Sequence, residues 1–396
     1  MMRPNARSVR LVVVAWVGWG SWSRVAAQQV ENPDSVLAAE KRLMITPFIA
    51  PGYTPEMGAL ITVGGLLSFR TRPAVKTGTL SELVQRSTLT LNGSISTTSA
   101  LTFNADLSSF WKGDRLRVFA KFAFKDMPDH YWGVGIDAGK GPEDDSVTAY
   151  DRTSWVAMPK VLWRIHPKIL VGGVLDFNYT SASDVSPGME GDPYYGEFGP
   201  DNQNAGGGVI FQYDTRDIAA NAWQGVFFNA QAVFYGPFLG SDNKYQVYDL
   251  EYRQYQQMGR PGKTLAWTGR TRLAYGAVPW AELSQLGSST DLRGYRQGRY
   301  RDKAMLYGIL EYRHQFLNTQ RSSGMSRHGL VGWVGIGSVG DDFTELNQWL
   351  PNWGVGYRFE VQPRMSVRAD VGFGREFLES GNKFVPSVYF SFTEAF

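Results

Sequence analysis

Cysteine is absent from the 396-residue chain, which excludes disulfide scaffolds, thiol catalysis and cysteine-ligated metal sites in one step. Histidine is scarce: His130, His166, His314 and His328 are scattered and lack metal-ligand spacing. A marked excess of one charge is also missing. With 40 Lys+Arg against 37 Asp+Glu the net charge is +3, too even for a nucleic-acid binder. No Gly-x-Ser-x-Gly elbow occurs, and Gly206-Gly207-Gly208 opens a strand pattern with no helix behind it, so a phosphate-binding loop is excluded. Beyond the N-terminus no uncharged apolar run approaches the ~20 residues of a membrane-spanning helix.

The N-terminus reads as a sorting address. Arg3, Arg7 and Arg10 precede the apolar stretch Leu11 to Trp22, and Val25-Ala26-Ala27 offers the small residues a signal peptidase needs. Residues 1–27 are therefore expected to be a cleaved signal peptide, 28–40 a short periplasmic segment, and 41–396 one barrel domain.

What the chain has in abundance is glycine (44 residues) and aromatics (14%), the composition of many strands and turns. Its periodicity is two. Leu89, Leu91, Gly93 and Ile95 alternate with Thr90, Asn92, Ser94 and Ser96; Val367, Ala369, Val371 and Phe373 alternate with Ser366, Arg368 and Asp370. Segments of about 9–12 residues exceed the ~5–6 of a soluble sandwich and match a tilted bilayer crossing. Their polar faces carry mid-strand charges, among them Asp249, Glu251, Arg253, Arg270 and Arg272. A dry sandwich core rejects these, whereas the wet interior of a membrane barrel accepts them. Lys121, Lys125, Arg270 and Arg272 are expected to form charge ladders on that inner face.

Sixteen segments are expected, centred near Thr46, Val63, Leu91, Asn104, Ala120, Val156, Gly173, Phe211, Ala230, Leu250, Gly269, Leu310, Gly335, Gly356, Ala369 and Phe390. An even count returns the chain to its starting side. With Gln28 in the periplasm, the long connections, about residues 127–148, 181–203, 276–301 and 338–351, face outward. The fold class is thus all-β, a 16-stranded antiparallel outer-membrane barrel. Near its edges Pro51 and Pro386 each remove a ladder donor. Asp144-Asp145 and Asp341-Asp342, in outward loops, are read as solvated acids or as a divalent-ion site.

Three motifs stand out. The chain ends in an alternating segment whose Phe390, Phe392 and Phe396 fall on one face, as a closing-strand signal for the outer-membrane assembly machinery would. Asp214, Arg216 and Asp217 sit in the turn after the eighth segment. Leu292-Arg293-Gly294-Tyr295 lies in the connection between the eleventh and twelfth. Gly294 is expected to supply a backbone conformation closed to other residues. Arg296, Arg299 and Arg301 either line the interior or meet lipopolysaccharide phosphates.

The turn and loop motifs together resemble the surface-antigen superfamily of outer-membrane assembly factors, from about Gly206 to Phe396. That family includes the barrel subunit of the outer-membrane insertion machinery and the two-partner-secretion transporters. The resemblance implies that the loop between strands 11 and 12 folds into the lumen, where Arg293 pairs with an acid on strand 12, here Glu311. Strand 13 departs from the family pattern. Gly335 stands where relatives carry an aspartate, so one of two anchors is expected to be missing and the loop to be held less firmly.

The resemblance also implies insertion or translocation of protein or lipid at the outer membrane without a nucleotide. The alternative is a passive pore or structural surface barrel that has lost translocation, and a barrel-wall hydrolase ranks third. No catalytic residue, cofactor or metal is expected. The periplasmic domains that collect clients in such factors are not expected within residues 28–40. Expected partners are outer-membrane lipid and lipopolysaccharide, the assembly machinery that inserts the chain itself, and a separate periplasmic partner or client polypeptide. Nucleic acid is not among them, and the chain is expected to be a monomer in the cell outer membrane.

Overall fold

A computed structural model describes residues 43–54, 57–71, 86–140, 147–321, 324–378, 381–392 and 394–396. The expected signal peptide and the 28–40 segment lie outside the described residues, as does Asp144-Asp145. Alternating sequence becomes alternating exposure. In the wall strand holding Tyr248, Leu250 and Tyr252, these three are exposed, while Asp249, Glu251 and Arg253 point the other way. An apolar row that is largely exposed (Ile49 65%, Val209 63%, Val355 58%) is unstable in water and suited to hydrocarbon.

The strands are β1 (Leu43–Thr54), β2 (Gly58–Phe69), β3 (Ser87–Ser96), β4 (Leu101–Trp111), β5 (Leu116–His130) and β6 (Ala149–His166). They continue with β7 (Ile169–Ser183), β8 (Asp201–Asp214), β9 (Gly225–Tyr235), β10 (Tyr245–Gln257) and β11 (Lys263–Gly276). The last five are β12 (Ala304–Leu317), β13 (Met325–Gly340), β14 (Leu350–Gln362), β15 (Met365–Leu378) and β16 (Gly381–Phe392). They form one 16-stranded sheet in sequence order, every neighbouring pair antiparallel. All sixteen expected centres fall inside these strands.

The sheet curls into a nearly closed barrel. Among the described residues no ladder joins β1 to β16. Side chains bridge the gap instead. The Phe48 and Phe392 rings lie 4.3 Å apart. Gln362, at the end of β14, donates from Nε2 to Thr46 Oγ1 (2.8 Å) and to the Leu66 carbonyl (3.3 Å), and its Oε1 accepts from Ser68 at 2.5 Å.

The inner face corrects one expectation. It is not uniformly wet, because connections enter and pack against it. One apolar cluster joins Leu286, Leu292 and Tyr295 of the 277–303 connection to Tyr255, Trp333 and Phe396. A second joins Leu283 to Leu162, Val174, Ile210 and Val247 of the wall. At the long-loop end, Tyr131, Tyr150 and Tyr195 surround the buried Trp280 with ring centroids 5.6–5.8 Å from it, three loops sharing one aromatic core.

Candidate functional site

Arg293 is the most enclosed charge of the 277–303 connection, at 0% exposure. Its Nη2 lies 2.7 Å from Glu311 on β12 and its Nη1 2.8 Å from Asp370 on β15. The guanidinium lies 3.6 Å from the ring centroid of Trp333 on β13, and the Arg293 carbonyl accepts from Asn352 Nδ2 on β14 at 3.0 Å. Four consecutive strands thus each hold one part of a single residue. A planar guanidinium has donors for two carboxylates and a face for an aromatic ring; a lysine could not fill all three roles.

Glycine makes the approach possible. Gly294 has φ +126°, and a Cβ there would fall 2.4 Å from the Gly374 nitrogen. A Cβ on Gly372 would fall 2.3 Å from the Arg293 carbonyl oxygen, so the loop backbone lies directly on the bare backbone of β15. Tyr295 then fastens the loop laterally. Its hydroxyl donates to the Pro351 carbonyl (2.6 Å) and accepts from Arg375 N (3.0 Å). Tyr389 of β16 donates to the Tyr295 carbonyl and accepts from Gly294 N, at 3.2 and 3.1 Å. Leu292 is buried in the first apolar cluster.

The loop is therefore not held by one anchor. Gly335 does lack a carboxylate, and a Cβ there would meet Asn352 Oδ1 at 2.3 Å. The second acid comes from Asp370, two strands further on. Around it a wider network forms: Arg313 Nε to Glu311 (2.7 Å), Arg358 Nη1 to Asp370 (2.5 Å), Arg368 Nη1 to Asp370 (2.9 Å) and Arg358 Nε to Glu394 (2.7 Å). Sequence reasoning placed Arg368 and Asp370 on the polar side of a strand but missed Asp370 as a loop anchor. Its signal was an acid flanked at i−2 by a basic residue of the same parity.

Arg299 and Arg301 are buried and turn inward, resolving the two readings of these arginines for this pair. Arg299 Nε donates to the Gly139 carbonyl (2.9 Å) and Arg301 Nη2 to the His130 carbonyl (3.1 Å), tying this loop to the one after β5. Arg296 is partly exposed. Arg270 pairs with Asp249 at 2.6 Å, and Arg272 donates to Ser284 of the loop at 2.9 Å. Asp341 receives Lys303 Nζ at 2.6 Å and Asp342 caps the backbone of Thr344, so each has a protein partner.

At the opposite end, the turn motif is a hinge of charges. Asp214 accepts from Arg117 (2.6 Å) and from Arg216 Nε (3.0 Å). Asp217 Oδ1 accepts from the backbone of Ile218 and Trp223, and Oδ2 from Arg364 at 2.8 Å in the turn between β14 and β15. Arg364 in turn covers Trp223 at 3.5 Å.

The terminal phenylalanines do not share a face. Phe390 is exposed, but β16 stops at Phe392, and Phe396 is buried beside Tyr255 and Arg313. Arg313 Nη2 donates to the Phe396 carbonyl at 2.9 Å, which draws the chain inward once the ladder with β15 ends.

Two loop carboxyls are perturbed. Burial pushes Asp302 up to about 6, with Asp341 and Glu345 adding repulsion, while the Lys303 backbone N–H and side-chain charge act the other way. Burial pushes Glu282 up to about 7; Asp176 adds to the rise and Arg272 and Arg152 oppose it.

A nearly closed 16-stranded barrel with an arginine loop laid across its last strands has the architecture of an outer-membrane β-barrel. The family comparison agrees: residues 86–373 match the Omp85 superfamily domain, and the chain belongs to that superfamily. Among solved structures, BamA from Haemophilus ducreyi, in a form lacking POTRA domains 1-3, is similar at TM-score 0.53 and 15% identity, covering 89% of this chain and 70% of that one. CdiB from Escherichia coli gives TM-score 0.55 at 10% identity over 89% of this chain and 62% of its own. CdiB from Acinetobacter baumannii gives 0.50 at 12% identity, over 89% and 60%. The chain thus spans less than two thirds of either CdiB. No curated protein sequence matches it.

Proposed function

We propose that this barrel takes part in inserting or translocating polypeptide at the outer membrane, without a nucleotide and without covalent chemistry, and that its working element is the gap between β1 and β16. The observation carrying this reading is that, among the described residues, two edge strands face each other with no ladder between them; a Phe48–Phe392 ring contact spans the gap, and Gln362 of β14 reaches across it to Thr46 of β1. An unpaired strand edge offers a row of backbone donors and acceptors to an incoming strand. The Arg293 network stiffens β12 to β15 beside that gap, and the orientation that puts the short turns in the periplasm puts the Trp280 cap at the cell surface. The competing pore reading is disfavoured by the packing of the 277–303 connection on the inner wall.

The test uses photoreactive residues in cells at Ile45 on β1 and Phe390 on β16, with Val209 on β8 as a far-wall control. Adducts to a nascent barrel or an exported polypeptide at the first two, lost when Phe48→Cys and Phe392→Cys are joined by a short thiol crosslinker, support the reading. Equal labelling at all three positions, or adducts indifferent to the crosslink, overturn it. In planar bilayers the intact chain should conduct poorly and deletion of 276–301 should raise conductance; a large stable conductance of the intact chain favours the pore.

A further inference from the structure

Exposed positive charge collects at one sector of the short-turn end. The turn between β4 and β5, residues 112–115, holds Lys112, Asp114 and Arg115, and the turn between β6 and β7 holds Lys168. At the long-loop end the 184–200 and 341–349 connections carry acids and no lysine or arginine. The acids near the two turns are already engaged. Asp114 Oδ1 lies 2.7 Å from Arg117 Nε, and its Oδ2 accepts from Arg117 Nη2 and Arg164 Nη2. Asp214, at the end of β8, is held by Arg117 and Arg216. Lys112, Arg115 and Lys168 are exposed, and none has a carboxylate partner among the described residues.

One arginine ties the two turns into a platform. Arg164 donates from Nε to the Asp114 carbonyl and from Nη1 to the Pro167 carbonyl, both at 2.7 Å, and its backbone N–H donates to the Arg115 carbonyl at 2.8 Å. Lys112, Gly113 and Asp114 have φ of +52°, +68° and +65°, a left-handed run that lysine and aspartate enter only under constraint. The arginine contacts to Asp114 supply that constraint. The turn sets Lys112 Nζ 4.8 Å from the Trp163 ring centroid. Trp111 and Trp163 are themselves exposed, at 44% and 45%, and Trp163 continues the hydrocarbon-facing row of Val161 and Ile165. Tryptophans at the end of such a row mark the headgroup level, where long basic side chains reach lipid phosphates. We propose that Lys112, Arg115 and Lys168, beside Trp163, bind the headgroup of an anionic phospholipid in the leaflet at the short-turn end. An acidic protein would use the cations but gains nothing from tryptophans turned toward hydrocarbon, which favours the lipid. The site sits on β4–β7, away from the β1–β16 gap, so either assignment can fail without the other.

Native mass spectrometry of the full chain in non-ionic detergent tests this, with dioleoyl phosphatidylglycerol and dioleoyl phosphatidylcholine titrated in turn. The parent should retain phosphatidylglycerol at lower concentration than phosphatidylcholine. Lys112→Gln, Arg115→Gln and Lys168→Gln combined should weaken phosphatidylglycerol binding about tenfold or more, since each basic residue near an anionic surface is worth roughly a factor of five. Trp163→Leu should cost about two- to fivefold through the lost ring contact. Arg327→Gln, which removes an exposed charge from β13, controls for net charge and should bind as the parent does. Should the triple variant lose its folded band on unboiled gels, Lys168→Gln alone carries the test at about fivefold. Equal affinity for the two lipids, a preference the charge variants retain in full, or an equal loss in Arg327→Gln overturns the proposal. So does a photoreactive residue at Lys168 that yields a protein adduct in cells in place of a lipid adduct.

Discussion

The inner wall of β2–β4 and that of β12–β15 are built from the same alternating pattern and hold together differently. In the early wall the inward contacts run between hydroxyls and amides, and the inward acid Asp106 stays exposed. Thr62 and Ser94 meet at 2.7 Å, and Asn104 donates to Asn92 at 3.1 Å, all partly buried. In the late wall Glu311, Asp370 and Arg368 are at 0–1% exposure and linked by ion pairs. Neutral groups tolerate being half wet. Charges deprived of water hold only when each finds its counterpart. The 277–303 connection makes the difference, since it covers one wall and supplies the arginine that the covered acids need.

The sharpest way to break this contrast is Asp370→Ala, which strips an acceptor from Arg293, Arg358 and Arg368 at once. Removing one member of a buried pair costs about 3–5 kcal/mol. The folded band on unboiled gels should convert at a clearly lower temperature, with Glu311→Ala behaving alike; unchanged conversion in both would show the network to be dispensable.

Gly294→Ala should come next, at about 1–3 kcal/mol for a side chain forced into a left-handed conformation against backbone. Here the barrel should stay folded while protease cleaves near residues 288–290 more readily.

A third effect is set by pH. In the folded protein Asp302 titrates at about 6 against an ordinary 3.8. The native state therefore binds the proton more tightly, and this residue's contribution is full below about pH 4 and declines as pH rises to 6. Thermal stability measured from pH 4 to 7 should fall less in Asp302→Asn than in the parent, and Glu282→Gln should do the same over the window ending near 7.

Least of all, Asn104→Ala in the early wall should cost no more than about 0.5–1.5 kcal/mol, the worth of one neutral hydrogen bond. A loss there as large as at Asp370 would erase the distinction between the two walls.

Legibility in the sequence followed the same division. Strand number, order and facing were readable because a period of two survives any tertiary context that keeps one face in hydrocarbon. Arg293 and Glu311 were readable as a pair through the loop motif and strand parity. Asp370 was not, because a wall position says which way a side chain points and nothing about which loop will arrive above it. The cores around Trp280 and Leu292 were invisible for a related reason: loops carry no periodicity. Phe396 was misplaced by extending a strand's alternation past its last ladder partner.

Gln362 belongs to neither edge of the open sheet, yet it grips β1 and β2 from across the gap, beside the short turn that leads from β14 into β15. A pivot so placed constrains geometry. Any separation of the edges that leaves this amide fastened must splay like a wedge, narrow at the pinned rim and broad at the far one, rather than part like sliding doors.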